Sequence, residues 1–139
     1  FSMDVRAQDN ATLDTMQQHI ERGLAAIRTQ FDIDLQWDWV DYTPGAVVSD
    51  EAADIAEKAI TAVCGSDALA PHIFTPGSDD FHFYTVKKPE LKATMIGIGS
   101  DLAPGLHHPY MTFNHDALNL ASNVLAETLK TAIPSKLYK

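Results

Sequence analysis

The sequence predicts an α/β fold for this chain of 139 residues. Two kinds of pattern lead to that prediction. Apolar residues recur at steps of three and four in several stretches, as they do along one face of an amphipathic helix. Elsewhere apolar and polar residues alternate, as they do in a strand with one covered face. Because predicted helices and strands are interspersed along the chain, the order is typical of a mixed α/β architecture.

Residues 1–43 form a first region that predicts a strand, a helix and a second strand. Apolar and polar residues alternate over residues 3–7, which predicts a short strand. Asn10 or Thr12 is expected to cap the helix that follows, because a side-chain oxygen there can accept from a free amide. Residues 33–39 alternate again, with one apolar and one acidic face. The helix is predicted from a stripe comprising Leu13, Met16, Ile20, Leu24, Ile27 and Phe31.

The apolar face of the second predicted strand ends in two tryptophans, Trp37 and Trp39. A unit of only two strands is marginally stable in water, so these rings need a cover. Burial of at least one ring under the region's own helix is the simpler expectation. An apolar edge that pairs with further sheet or with a partner chain is the alternative.

Residues 44–139 form the second region, because Pro44 and Gly45 break the pattern. Ser49 is expected to cap a helix that Gly65 ends, glycine being favoured in the left-handed conformation after a helix. The stripe of this helix comprises Ala52, Ile55, Ala56, Ala59, Ile60 and Val63.

Two further strands and a last helix complete the second region. Residues 72–74 predict a brief strand, and residues 92–99 a buried strand that stops in a glycine-rich turn. The last helix is predicted over 116–133, with Pro134 ending it. Its expected buried residues are Leu118, Ala121, Val124, Leu125, Leu129 and Ala132.

Composition excludes several classes of function. The net charge is −9, from 19 acidic and 10 basic side chains, which is unfavourable for binding nucleic acid or an anionic membrane. No run of about 18 apolar residues predicts a membrane span. Cys64 is the single cysteine, so neither an internal disulfide nor a multi-thiolate zinc site is available. Together with the absence of a signal-peptide pattern at the start, this leads us to expect a cytoplasmic protein.

Two segments carry residues suited to chemistry. In residues 75–81, Gly77 permits close backbone approach to a ligand and Ser78 offers a hydroxyl, although the same residues also suit an ordinary helix-capping turn. In the second segment, His107 and His108 are adjacent. Imidazole is a common metal ligand, but neighbouring side chains of an extended segment point in opposite directions, so one histidine at most is expected to bind a given ion.

The order of these segments resembles the end of one protein family. Gly77-Ser78-Asp79-Asp80-Phe81, then Gly105-Leu106-His107-His108-Pro109-Tyr110, then Asn114-His115-Asp116-Ala117-Leu118 is similar to the C-terminal part of the co-catalytic metallopeptidases and amidohydrolases. That family includes aminoacylase, carboxypeptidase G and the auxin-conjugate hydrolases, and the amidohydrolase branch matches best. Departures are Asp79 and His115, where glutamate is frequent, and Met111, where phenylalanine is common.

The resemblance implies two domains. Residues 1–43 would be the C-terminal part of an inserted α+β lid, which serves dimerisation. Residues 44–139 would be the C-terminal portion of a zinc-peptidase-like α/β catalytic domain. Upstream, residues 3–6 look like a late lid strand and residues 42–50 like the segment that returns to the catalytic domain.

The resemblance also implies the site residues. The family holds two divalent ions, usually zinc and sometimes manganese or cobalt, which bridge a water and polarise the scissile amide carbonyl, with a glutamate as general base. By position, His107 would be a metal ligand, with His108 second in line. Gly77 and Ser78 would line the substrate cleft. Arg6 would clamp a substrate carboxylate, although it also suits a surface ion pair.

The rest of the family's site is not in this sequence. The His-x-Asp, Glu-Glu and Cys-x-His motifs that carry the other ligands and the catalytic glutamate do not occur, so no catalytic residue is predicted here. We expect an enzyme fragment, inactive alone, of a hydrolase that cleaves the amide bond of N-acyl or aroyl amino acids or small peptides. Its expected partners are the N-terminal half of the same enzyme and a second copy bound through the lid. A non-catalytic binding or oligomerisation module is the alternative.

Overall fold

The computed structural model describes residues 1–73, 75 and 77–133. Two short 3-10 turns, Ser66–Ala68 and Asp80–His82, accompany the helices. Within the described part, β pairing is limited to one antiparallel bridge between Ala103 and Thr112. None of the helices described is both long and apolar enough to cross a bilayer. The α-helices of this part are α1 (Asn10–Phe31), α2 (Asp50–Cys64), α3 (Phe83–Lys87) and α4 (Asp116–Ala132).

The chain divides into two compact units. Phe1–Val47 and Ile73–Leu91 form the first unit, and Val48–His72 and Lys92–Lys139 form the second. The predicted boundary between residues 43 and 44 lies inside the first unit, which also holds the segment around Gly77. The assignment of residues 1–43 to a lid and of 44–139 to a catalytic domain stays a prediction.

Helix α1 begins at a cap that the sequence analysis missed. Asp9, and neither Asn10 nor Thr12, accepts the free amide: its Oδ1 accepts from the Thr12 N–H over 2.8 Å, and its Oδ2 from the Thr12 hydroxyl over 2.7 Å. Asn10 binds elsewhere, since its Oδ1 accepts from the Gly45 N–H over 2.7 Å. The prediction was wrong because three polar residues within four positions, Asp9, Asn10 and Thr12, offer side-chain oxygens, and the contact to Gly45 removes Asn10 from the choice.

The apolar stripe of α1 is only partly covered. Leu13, Met16 and Leu24 are half-buried, whereas Phe31 is 63% exposed, and no residue of α1 is fully buried. Trp39 lies beside this helix, because its indole N–H donates to the Glu21 carboxylate over 2.8 Å. Trp39 nevertheless keeps 43% of its surface exposed, and Trp37 36%. The helix therefore covers Trp39 in part.

Pro44, in the first unit, is fully buried. Tyr42 meets Phe83 of α3 edge to face, with ring centroids 6.3 Å apart. Thr85, also on α3, is buried and donates its hydroxyl to the His82 carbonyl over 3.1 Å. Residues 42–44 and the short helix α3 thus share a small core.

Helices α2 and α4 form the core of the second unit. Ser49 caps α2 as predicted, its hydroxyl accepting from the Ala52 N–H over 3.4 Å. Gly65 ends the helix with φ 85° and ψ 160°, a positive φ that favours glycine, although ψ lies outside the left-handed helical region. The fully buried Ala59 and Val124 lie on these two packed helices. Small alanines on α2 permit the close approach of α4.

Helix α4 has the predicted extent but not the predicted buried face. Val124 is fully covered and Ala121 half-covered. Four predicted core residues are instead exposed: Leu118 at 57%, Leu125 at 57%, Leu129 at 62%, and Ala132. The apolar stripe predicted for α4 is wider than the surface that α2 covers, because α2 covers only the side of α4 centred on Val124. Pro134, the predicted stop, lies outside the described residues.

The segments predicted as strands are not paired within the described part of the chain. Residues 3–7, 33–39 and 92–99 adopt neither helix nor ladder there, and the predicted strand at 72–74 includes Phe74, which lies outside the described residues. From residue 94 to residue 103, half-buried and exposed side chains alternate strictly. This two-residue period is that of an extended chain with one covered face. Residues 92–99 are therefore half-buried rather than buried, and the α/β class stays a prediction.

Candidate metal centre

A narrow loop carries His107. At its base the Ala103 N–H donates to the Thr112 carbonyl over 3.0 Å, and the Thr112 N–H donates to the Ala103 carbonyl over 2.8 Å. Below this pair, the Asn114 N–H donates to the Ser100 carbonyl over 2.7 Å. These bonds close the loop, so that residues 104–111 form its tip.

His107 lies in a strained backbone conformation at that tip. Residues 105–108 make a tight turn in which the His108 N–H donates to the Gly105 carbonyl over 3.3 Å. His107 is the third residue of the turn and has φ 63°, in the left-handed region. Glycine or asparagine is favoured there, because a larger residue's Cβ crowds the following carbonyl. Strain of this kind clusters at functional sites.

The side chain of His107 is available to a ligand. It is exposed, and in the described part of the chain neither ring nitrogen has a hydrogen-bond partner. A neutral imidazole with an uncommitted nitrogen is the form that binds divalent ions. His107 therefore suits the role of one metal ligand.

His108 differs from His107 in the hydrogen bonds that it makes. Its Nδ1 accepts from the Tyr110 N–H over 3.1 Å, and its carbonyl accepts from the Met111 N–H over 3.0 Å. Its ring lies 5.8 Å from that of Tyr110, centroid to centroid. His108 is engaged in the loop, whereas His107 is not.

The third histidine of this region, His115, packs locally. It precedes α4 without making a side-chain cap, and its ring lies 5.0 Å from that of Phe113. The adjacent Asn114 accepts from the Asp116 N–H over 3.0 Å and so shapes the start of the helix. The Asn114-to-Leu118 motif is thus a helix start beside the loop.

Arg6, the predicted carboxylate clamp, is held by a carboxylate of its own chain. Its Nε and Nη2 both donate to Oδ2 of Asp4, over 2.9 and 2.7 Å. This hydrogen bond, together with the attraction between the charges, raises the pKa of Arg6 above its ordinary value. Asp4 was missed in the sequence analysis, although the spacing of two residues places both side chains on one face of an extended segment.

The turn at Gly77 is a capping turn in this structure. The Gly77 N–H donates to the Thr75 hydroxyl over 3.1 Å, and Oδ1 of Asp79 accepts from the Phe81 N–H over 2.8 Å. Asp79 thereby caps the 3-10 turn that follows. Ser78 is exposed beside it. The turn presents Gly77 and Ser78 to solvent, but no geometry here assigns them a ligand.

The predicted site residues belong to different units. Arg6, Gly77 and Ser78 lie in the first unit, and His107 lies in the second. Within the residues that the structure describes, no group of three or more histidine, cysteine, aspartate or glutamate side chains is placed to hold an ion. The residues present fit one ligand of a metal site and do not make up a complete one.

Comparison with known proteins identifies the family. The sequence profile of peptidase family M20/M25/M40 matches residues 5–131, a span that includes Arg6, Gly77, Ser78 and His107. Searches of curated proteins and of solved structures gave no significant match. The family match supports a metal-dependent peptidase or amidohydrolase kind of function, without resolving the branch. Because the profile covers nearly all of the sequence, this chain belongs to peptidase family M20/M25/M40.

Proposed function

We propose that this chain supplies His107 as one metal ligand of a hydrolase that cleaves the amide bond of N-acyl or aroyl amino acids or small peptides. The observation that carries the proposal is the conformation of His107, an exposed imidazole with free ring nitrogens on a left-handed backbone. Such a conformation is uncommon for a residue other than glycine, and strained positions of this kind cluster at functional sites. The family match supports the hydrolytic class.

The remaining ligands come, in this proposal, from outside the sequence described here. No motif of the His-x-Asp, Glu-Glu or Cys-x-His kind occurs in it, and the described residues hold no group of ligands around His107. The chain alone is therefore expected to lack hydrolase activity. Turnover of an N-acyl amino acid by the purified 139-residue chain would contradict this.

The central test removes the imidazole of His107, the proposed metal ligand. In the full-length protein that carries this chain, His107→Ala is expected to reduce zinc content and amidase rate. The loss should exceed the roughly 10- to 100-fold effect typical of residues that only support a ligand. His19→Ala, an exposed histidine on α1, is the matched control. Unchanged zinc content and amidase rate in His107→Ala would contradict the assignment of His107 as a metal ligand.

Substrate recognition is assigned to Arg6, with Gly77 and Ser78 in the cleft. A guanidinium fork matches a planar carboxylate, which is the group that an amino-acid product carries. The proposal predicts that Arg6→Lys raises KM for a substrate with a free carboxylate more than it raises KM for the same substrate with that carboxylate converted to an amide. Arg22→Lys, an exposed arginine on α1, should change neither value. An equal effect on both substrates would leave Arg6 as a surface ion pair with Asp4.

The α/β class belongs to the same proposal. Residues 94–103 alternate in exposure as a strand does, yet no ladder joins them in the described part of the chain. Their partners would be strands from outside this sequence. Slow amide exchange of this segment in the full-length protein, with fast exchange in the chain alone, is the expected result. Fast exchange in both would contradict the assignment.

A non-catalytic binding or oligomerisation module is the second candidate. The exposed leucines of α4 favour it, since large apolar surfaces mark sites of association. A reading frame upstream that encodes the missing ligand motifs would decide for the enzyme. Absence of those motifs from the full-length protein would decide for the module. Sedimentation of the full-length protein and of the chain would also show whether a dimer forms through the lid region.

A further inference from the structure

We propose that His108 is a positioning residue for His107 and not a second metal ligand. Its ring nitrogen Nδ1 accepts a hydrogen bond inside the turn that follows His107, stabilises that turn, and so helps to hold His107 in its left-handed conformation. This inference rests on the proposed function, in which His107 binds the metal. It assigns the two adjacent histidines different roles from their different hydrogen bonds.

His108 joins two consecutive turns. Its backbone N–H closes the turn that contains His107, donating to the Gly105 carbonyl over 3.3 Å. Its carbonyl closes the next turn, accepting from the Met111 N–H over 3.0 Å. Its Nδ1 accepts from the Tyr110 N–H over 3.1 Å inside that second turn. Three polar groups of one residue therefore act on the backbone of the loop.

The bond to Tyr110 also decides what the His108 ring can do. A backbone N–H can only donate, so Nδ1 of His108 must accept and carries no proton. In a neutral imidazole the proton then lies on Nε2, which makes that nitrogen a donor. The lone pair that a metal would need is already used. His107 has no such commitment in the described part of the chain.

Holding His107 requires a rigid neighbour. A non-glycine residue at φ 63° persists only when the surrounding structure determines it. On one side the base of the loop is closed by the reciprocal bonds of Ala103 and Thr112. On the other side the second turn, which His108 closes, is the nearest constraint. Loss of the Nδ1 bond would release Tyr110 and loosen the turn next to the ligand.

The geometry identifies a conservative substitution. A side-chain acceptor attached to Cγ that binds the amide two residues later is the arrangement of an Asx turn. Oδ1 of asparagine is also attached to Cγ, so asparagine can make the Tyr110 bond without an imidazole. His108→Asn therefore keeps the positioning role and removes any ligand role. His108→Ala removes both.

The experiment compares these two variants in the full-length protein, with zinc as the probe. Dissociation constants for zinc are measured by competition with a chelator, and thermal unfolding confirms that each variant is folded. We expect His108→Ala to weaken zinc binding about tenfold, the lower end of the effect of outer-shell partners. His108→Asn should restore most of that loss. If His108→Asn binds zinc as weakly as His108→Ala, or if His108→Ala binds as wild type, the proposal is overturned.

Amide exchange gives a readout that needs no metal. In the zinc-free protein the Tyr110 amide should exchange slowly in wild type and in His108→Asn, and faster in His108→Ala. Equal exchange in all three would overturn the proposal even if zinc binding followed the expected order. His107→Ala separates the proposed function from the role of His108. Wild-type zinc affinity in His107→Ala would refute the proposed function. The Tyr110 exchange rates, in contrast, report on His108 alone.

Discussion

At the scale of the residue, His107 combines an unfavourable backbone with an uncommitted side chain. The left-handed region costs an ordinary residue roughly 1–2 kcal/mol, because its Cβ crowds the next carbonyl, whereas asparagine enters it more readily. The conformation supports the role in metal binding proposed for His107, and it makes that proposal testable through stability.

His107→Asn should stabilise the protein while weakening its metal binding. Relief of the strained backbone is expected to raise the free energy of unfolding by up to about 1 kcal/mol in the metal-free protein. His19→Asn, at a helical position of α1 where histidine and asparagine have similar helix propensity, is the control and should give no such gain. Thermal or denaturant unfolding without metal measures both. A destabilised His107→Asn protein would show that the imidazole has a structural role.

At the scale of the element, the side chains of Asp9 and Ser49 cap the starts of α1 and α2. The Thr12 backbone amide, and after it the Thr12 hydroxyl, lower the pKa of the Asp9 carboxyl by hydrogen bonds to its charged form. A lowered pKa in the folded state means that Asp9 contributes stability above its ordinary pKa of about 4. That contribution is lost as the pH falls through the lowered value.

Acid should therefore weaken α1 through Asp9. The variant Asp9→Asn retains an oxygen for the Thr12 amide but has no charge to titrate. We expect wild type to lose stability relative to this variant as the pH falls from about 4 through the lowered pKa of Asp9, and to match or exceed it near neutrality. Denaturant unfolding of both proteins across this range is the measurement. Parallel pH profiles would mean that the cap does not contribute through its charge.

Packing between helices is also decided at the element scale. Val124 and Leu125 are neighbours on α4, yet Val124 is fully covered by its surroundings and Leu125 is 57% exposed. Val124→Ala should lower the free energy of unfolding by about 2 kcal/mol, from lost burial and the cavity left behind. Leu125→Ala should cost less than about 0.5 kcal/mol in the chain alone. The reverse order would place the core of α4 on its other face.

At the scale of the whole molecule, the chain leaves much apolar surface uncovered. Leu118, Leu125 and Leu129 recur at helical spacing along one face of α4, and Ile27 and Phe31 extend from α1. Surfaces of this kind associate in water. We expect the chain alone to self-associate at micromolar to millimolar concentration.

Replacing the three exposed leucines of α4 together by glutamine should reduce that association. The glutamines keep helix propensity while removing the apolar stripe. Sedimentation velocity over a range of concentrations should show a smaller weight-average species for the triple variant. Circular dichroism is the control for an intact helix. Equal sedimentation of both proteins would place the associating surface elsewhere, such as the end of α1.

The elements and the chemistry of this protein follow from sequence to different extents. Helices α1, α2 and α4 and the Ser49 cap were predictable, because apolar spacing and capping act within a few residues of the chain. The motif order also singled out His107. Which oxygen caps α1, and whether Val124 or Leu125 is buried, depend on contacts between residues far apart in the chain.

The loop that carries His107 shows the same difference between what the sequence and what the tertiary structure determine. Residue type and spacing alone allowed only the statement that one of the two adjacent histidines at most binds a given ion, and the family resemblance favoured His107. What only the tertiary structure decided is their hydrogen bonds: His108 accepts from the Tyr110 amide, whereas the His107 ring makes no hydrogen bond in the described part of the chain. Residue type determines which chemistry is available, whereas backbone conformation determines which atom is free to perform it.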